Sequence, residues 1–212
     1  MKKIILLLGN TSSGKSFLGK NLEMKYGLPY LSFGDIKRDE INRGSTLGLR
    51  LQSDIDNNLP INPNDGLLLI NQNLTLIKKL VILLSGYPIS EMEYSQISLL
   101  YSVILGVYFR ADEAIIRKRF FTRGVCPTCN FPGLMKSTCP VHNSNMIRRE
   151  DVTEEELGKR IRLFNNRIYP FIDLIIKKSL FPVKTYDSGS FSLEDVFSDI
   201  NQYLNELKTV KK

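Results

Sequence analysis

Five short runs along the chain, residues 3–8, 29–32, 80–84, 104–109 and 183–187, are nearly continuous in apolar residues. Such runs predict strands covered on both faces, and helical spacing between them predicts a parallel sheet wrapped by helices. The first intervening helix is expected after Gly14, with Phe17, Leu18 and Leu22 turned inward and a stop at Gly27-Leu28-Pro29. Two stretches break the alternation. Residues 35–72 read as short helices interrupted at Gly44, Gly48, Pro60 and Pro63, whereas 125–149 lack helical spacing and hold all three cysteines. Both read as insertions at strand ends, where α/β folds place ligands. Beyond the second, Thr153 and Glu156 form a capping box, and Leu157, Ile161, Phe164 and Ile168 share one face of the next helix.

The first strand runs into Gly9-Asn10-Thr11-Ser12-Ser13-Gly14-Lys15-Ser16, a full match to G-x-x-x-x-G-K-[ST] with a strand before and a helix after. Glycines let successive N–H groups point into one concavity, and the helix N-terminus adds positive potential there. Lys15 is expected to reach the β- and γ-phosphates of a nucleotide and the Ser16 hydroxyl to bind Mg²⁺. The bland alternative is a ligand-free Gly/Ser turn.

Charge strengthens the anion reading: 29 Lys+Arg against 22 Asp+Glu give a net +7. The 42% hydrophobic and 24% charged composition over 212 residues is that of a globular chain. The apolar run at residues 4–8 is too short for an export signal, and none approaches the ~18 residues of a membrane span. The three cysteines lie close together and are odd in number, which argues against a secreted disulfide framework and for a reducing, cytoplasmic setting. Cys126-Pro127-Thr128-Cys129 and Cys139-Pro140-Val141-His142 are two-residue knuckles separated by nine residues. Three thiolates and the single imidazole can close a structural tetrahedral Zn²⁺ site, with iron as the alternative metal. Buried small hydrophobes beside a surface His are the bland reading.

Further motifs follow in order: Ser32-Phe33-Gly34-Asp35-Ile36-Lys37-Arg38, Gly44-Ser45-Thr46-Leu47-Gly48, Gly86-Tyr87-Pro88, Arg119 with Arg123, Arg149-Glu150-Asp151, and Arg160. From Met1 to about Ile200 the chain resembles the adenylate kinases. That resemblance implies a three-layer P-loop NTPase fold with a five-stranded parallel sheet. The core would comprise residues 1–34, 77–123 and 150–212, with a helical acceptor-nucleotide insertion at 35–76 and a mobile zinc-type lid at 124–149. It also implies phosphoryl transfer from Mg·ATP to a nucleoside monophosphate, by a cytoplasmic monomer with no membrane or nucleic-acid partner. Gly9, Thr11, Ser12, Ser13, Gly14, Lys15, Ser16 and Arg119 would hold ATP. Lys15, Arg123, Arg149 and Arg160 would serve the transfer, with Arg119 and Arg123 four apart on one helix face. Phe33, Asp35, Arg38, Gly86 and Glu93 would meet the acceptor. By its position alone, after the last strand, Asp187-Ser188-Gly189-Ser190 is expected near the donor base.

Departures gather on the acceptor side. Where the family usually reads Asp-Gly-Phe-Pro-Arg, this chain reads Ser85-Gly86-Tyr87-Pro88-Ile89. The absent Arg normally grips the acceptor phosphate, and the absent Asp helps hold Mg²⁺ through water. Glu93 stands where a Gln reads the adenine edge, and Phe33 where a Thr or small residue lies. A kinase with a non-AMP acceptor, such as a guanine or cytosine nucleotide, is therefore weighed beside AMP itself. So is a non-catalytic ATP-binding relative. A zinc-dependent nucleic-acid binder would want aromatics interleaved with basic residues, and the metal-bearing stretch offers only Phe131.

Overall fold

A computed structural model describes residues 1–57 and 59–209. Strands β1 (Lys3–Gly9), β2 (Tyr30–Ser32), β3 (Val81–Ser85), β4 (Ser102–Arg110) and β7 (Val183–Asp187) form one sheet in the order β2-β3-β1-β4-β7, with every pairing parallel. β5 (Arg123–Val125) and β6 (Pro132–Leu134) form a separate antiparallel pair. The five expected strands are all present.

The unbroken apolar run of β1 has a direct cause. Ile4, Leu6 and Leu8 face one helical layer, Ile5 and Leu7 the other, and all five are buried. The first layer contains α4 (Pro63–Leu76), α5 (Glu91–Ser98) and α8 (Tyr169–Lys178), and the second contains α1 (Lys15–Tyr26) and α9 (Leu193–Thr209). Each such buried side chain contributes about 1.5–3 kcal/mol. β7 differs from the expectation: as an edge strand reading Val-Lys-Thr-Tyr-Asp it is only half covered.

Between β2 and β3 the chain folds as α2 (Phe33–Asn42), α3 (Thr46–Asp56) and α4. Gly44 ends the first of these at φ 65, but Gly48 does not interrupt α3. It lies inside that helix and lets it touch α2, since a Cβ there would stand 2.3 Å from the Glu40 carbonyl oxygen. Pro63 opens α4 rather than breaking it, because the first helical turn needs no donor at that position.

α6 (Glu113–Thr122) packs against α7 (Glu154–Leu163) through Ile116, Phe120, Val152 and Leu157. Only half of the expected capping box forms. Thr153 accepts from the Glu156 N–H at 3.1 Å, while the Glu156 carboxylate turns to Arg160 Nε at 2.6 Å. A π-helical turn at Phe164–Ile168 follows and re-phases the helix. Leu157 and Ile161 therefore pack on α6, whereas Phe164 and Ile168 pack on the main core.

Helix α1 approaches β2 through Gly19, where an added Cβ would lie 2.3 Å from the Tyr30 ring. Gly19→Ala should cost about 1–3 kcal/mol by forcing that ring aside. Urea unfolding checks this, with Gly27→Ala unsuitable as a control because Gly27 sits at φ 63.

Candidate functional site

At the end of β1 the chain turns at Gly9, φ 135. A side chain there would meet the Phe109 carbonyl oxygen at 2.6 Å and Ser13 Oγ at 2.8 Å. Gly14, φ 105, then opens α1 with no side-chain cap and no acid in the first turn. Five other helices, α2, α3, α4, α5 and α7, are capped by Ser32, Ser45, Asn62, Ser90 and Thr153. The first amides of α1 are thus left for an anion. Ser12 Oγ is buried there with no hydrogen-bond partner among the described residues. Lys15 Nζ folds back over the loop, donating to the Gly9 carbonyl at 2.7 Å and the Asn10 carbonyl at 2.5 Å. Burial, then the Arg123 and Arg160 cations, pull this ammonium down to about 7.

This loop floors a cavity of about 510 Å³ roofed by Pro132, Gly133 and Leu134. Phe17 lines the cavity instead of turning into the core, and is 44% exposed. Leu18 and Leu22 are fully buried, as their helical spacing predicts. Arg119 donates through both Nη atoms to Ser188, whose hydroxyl in turn donates to the Ser13 carbonyl at 2.8 Å. Ser188 and Gly189 line the cavity, whereas Asp187 is drawn to Arg110 at 3.6 Å. Arg119 and Arg123 do not share a helix face. α6 stops at Thr122, and Arg123 is its C-cap in extended conformation, but both side chains reach the same cavity.

Above the cradle three arginines gather on one carboxylate. Asp151 pairs with Arg160, with Arg149 Nε at 3.4 Å and with Arg123 Nη2 at 3.8 Å. The Arg123 guanidinium lies 4.4 Å from the Phe120 ring centroid, which fixes its plane. The ion pairs of Arg123 and Arg149 with Asp151 are not hydrogen bonds: Arg123 Nε and Nη2, Arg149 Nη2 and Asp151 Oδ1 are all buried without a hydrogen-bond partner among the described residues. Burial, then Arg160 and Arg149, pull Arg123 down to about 10. Lys37 is lowered by burial and then by Arg38 and Arg160. The cluster is overloaded with positive charge and complementary to an anion carrying several negative charges.

Arg38, expected to grip an acceptor, is paired with Asp35 one turn earlier. Phe33 packs against Tyr87 with ring centroids 5.4 Å apart, beside Gly86 at φ 79. Glu93 is buried and both its oxygens are engaged: Oε2 accepts from the Ile89 N–H at 2.7 Å, and Oε1 pairs with Arg167 at 2.8 Å.

Residues 124–149 fold around the cysteines. Sγ of Cys126, Cys129 and Cys139 and a ring nitrogen of His142 all lie within 4.8 Å of one another. Cys129–Cys139 is 3.8 Å and each of Cys126–His142 and Cys139–His142 is 3.9 Å. A tetrahedron with metal–sulfur bonds of about 2.3 Å has edges near 3.8 Å, so the donor set fits Zn²⁺. All three cysteines are free thiols. Besides these, Phe131 and Met146 are the buried apolar residues of this small cluster.

For Mg²⁺, the oxygen donors lining the cavity include the exposed Ser16 hydroxyl and the Asp35 carboxylate. That suits a cation which keeps most of its waters and is held chiefly by nucleotide phosphates. The Tyr30 hydroxyl lies 2.6 Å from Ser85 Oγ and 3.3 Å from Ser16 Oγ.

No family model matches the chain. Similarity over nearly its whole length is nevertheless found with adenylate kinases. That of Clostridium novyi is 27% identical over 214 residues, 94% of this chain and 97% of the relative. That of Pyrococcus furiosus is 28% identical over 218 residues, 96% of each chain. That of Elusimicrobium minutum is 28% identical over 224 residues, 97% of this chain and all of the relative. The chain is thus similar to adenylate kinases from end to end, at 26–28% identity.

Several residues of the site carry no clear signal of their own in the sequence. Asp151 stands in the sequence only as part of Arg149-Glu150-Asp151, and Lys37 only beside Arg38. Arg167 lies seven residues after Arg160, but the π-helical turn beginning between them shifts the helix phase, so spacing does not mark it. No local pattern marks Tyr30, because its partners are 14 and 55 residues away. No helix among the described residues is long and apolar enough to cross a membrane.

Two outcomes follow from this geometry. Lys15 titrates near 7, and a bound polyphosphate favours its charged form, so binding raises its pKa and takes up a proton above that pH. Calorimetry of ATP binding at pH 8, in buffers of different ionisation enthalpy, should show proton uptake that disappears in Lys15→Met. For the chain loaded with Zn²⁺, a chelator should speed proteolytic cleavage within residues 124–149, with the core cut no faster, and Cys129→Ala should reproduce this without chelator.

Proposed function

We propose that this chain is a nucleoside monophosphate kinase that moves the γ-phosphoryl group of Mg·ATP to an acceptor nucleotide. The observation that carries this reading is the set of buried, unpartnered nitrogens on Arg123 and Arg149 above an uncapped phosphate loop. A buried donor left without an acceptor is costly, and a bridging polyphosphate supplies acceptors for all of these nitrogens. The +7 net charge and the similarity to adenylate kinases agree with it.

In this mechanism the amides of residues 9–16 wrap the donor phosphates, and Lys15 leaves its carbonyl partners to follow the β- and γ-oxygens. Arg119, anchored on Ser188, steadies the donor from the other side. Arg123, Arg149 and Arg160 exchange Asp151 for the phosphoryl group in flight, whose charge is spread over three oxygens. Asp151 thereby holds the forks in position before the substrates arrive. Ser16, with Asp35 also lining the cavity, would hold Mg²⁺, which would supply neutralisation of the charge that develops on the phosphates. Arg38 with Asp35 orients the acceptor phosphate, and the lid over Phe17 keeps water from the donor. Zn²⁺ on Cys126, Cys129, Cys139 and His142 would hold the lid's fold. Free thiols fit a reducing cytoplasm.

Acceptor recognition differs from AMP reading in one respect. The Glu93 carboxylate is already bound to Ile89 and Arg167, so the base edge meets an ion pair rather than an amide. This favours an acceptor other than AMP. A non-catalytic nucleotide binder is the second reading, supported by Ser85 and Ile89 at positions where the family has an acid and an arginine. Turnover of ATP with AMP, GMP, CMP, UMP and their deoxy forms decides between them. We expect product from at least one, and Arg160→Met should lower kcat about 10³-fold in steady-state kinetics. Absence of product from every acceptor would leave the binder.

A further inference from the structure

The end of the sheet opposite the phosphate cradle carries an apolar surface that phosphoryl transfer does not use. Strands β3, β1 and β4 begin there side by side. The Lys3 N–H donates to the Leu80 carbonyl at 2.8 Å, and the Ser102 N–H to the Lys2 carbonyl at 3.0 Å. Lys3 is in register with Val81 on one side and Ser102 on the other. The Lys2 ammonium donates to the Thr75 carbonyl at 3.4 Å, which ties the end of α4 to the same edge. Residues leading into these strands are therefore neighbours, although they come from three separate parts of the chain.

Several of them are leucines turned to water. Leu99 and Leu76, 82% and 80% exposed, are the most exposed large apolar side chains among the described residues. Leu80 and Leu100 are exposed as well. Beside Leu80 opens a groove of about 310 Å³, lined also by Leu28, Phe197, Leu204 and Lys79. Apolar side chains gathered at one end of a molecule mark a place where something docks.

The charge around these leucines has one sign. Lys78 and Lys79 are exposed and Lys3 is half-buried. None of the three is in an ion pair among the described residues. Residues 1–22, 66–90 and 94–111, which supply the three strands and the turns before them, contain no Asp or Glu. Acids on the flanking helices are engaged: Glu23 pairs with Lys20 at 3.7 Å and accepts from the Tyr30 N–H, and Glu206 accepts from Gln202 at 2.9 Å. A second copy of this face would set lysine against lysine, so self-association is opposed. An acidic headgroup layer over an apolar interior complements both features at once.

We propose that this end of the sheet is a peripheral docking surface for anionic phospholipid bilayers. Leu76, Leu80, Leu99 and Leu100 enter the headgroup boundary, and Lys3, Lys78 and Lys79 meet the lipid phosphates. No helix among the described residues is long and apolar enough to cross a membrane, and a contact of this kind needs none. The adenylate kinase resemblance does not imply it. Binding is weak and reversible, because three lysines and four leucines fall short of a stable anchor. The phosphate cradle, at the other end of the strands, faces away from the bilayer and stays open. This surface is independent of the kinase reading, and either can fail without the other.

The test is sedimentation of the full chain with vesicles of phosphatidylglycerol and phosphatidylcholine in equal parts, beside vesicles of phosphatidylcholine alone. We expect binding to the mixed vesicles that weakens with added salt, and little to the neutral ones. Each lysine near an anionic surface is worth about fivefold, so Lys78→Gln with Lys79→Gln should weaken binding about 25-fold. Leu76→Gln with Leu99→Gln should weaken it too. Both leucines already stand in water, so the melting temperature should hold in each double variant. Failure to sediment with the mixed vesicles overturns the inference, as does equal binding to both kinds of vesicle. Undiminished binding by the two double variants also overturns it, and displacement by ATP would then place the headgroups in the phosphate cradle. Salt-sensitive binding of a soluble Glu/Leu amphipathic peptide, with none to vesicles, overturns it in favour of a protein partner.

Discussion

Repulsion among like charges is the constraint around which this molecule is arranged. Lys15, Lys37, Arg38, Arg123, Arg149 and Arg160 act on one another at close range, and burial and neighbouring cations lower several of them. Asp151 is the counterweight, and its own carboxyl is held low: burial works against this, but Arg160, Arg149 and Arg123 outweigh it. A cluster of this kind is tolerable only if rigid neighbours prevent it from splaying apart. Phe120 beneath Arg123 and Arg160, the α6–α7 contact, and the Glu156–Arg160 pair provide that rigidity.

The sheet serves the same end from below. Alternate residues of β1 anchor it in both helical layers, so the loop after Gly9 leaves a stiff support. The crevice lies at the carboxyl ends of the strands, where chain connections diverge to either side of β1. Elements far apart in sequence deliver their side chains to one place: the loop after β1, the start of α2, the end of α6 and the turn before α7.

Much of this was legible along the chain. The strands announced themselves because burial on both faces demands unbroken apolar runs, and the phosphate loop because its glycines have no steric substitute. Other features were not, for physical reasons. Gly48 read as a break because close helix packing and helix termination both select glycine. Arg123 read as helical because spacing is blind to a cap that turns the chain into a strand. The Phe164–Ile168 turn shifts the helix phase, so a single stripe of apolar residues serves two cores. The bond of Glu93 with Arg167 spans 74 residues and leaves no local trace.

The metal-binding knot and the arginine set are close along the chain. Arg123 stands three residues before Cys126, and Arg149 seven residues after His142, so both strands leaving the knot end in a guanidinium. Oxidants that attack thiols would therefore act on the grip for phosphate from both sides at once, while the sheet and its two helical layers stayed folded. Sensitivity to such reagents would show itself as slackened anion capture long before any loss of secondary structure.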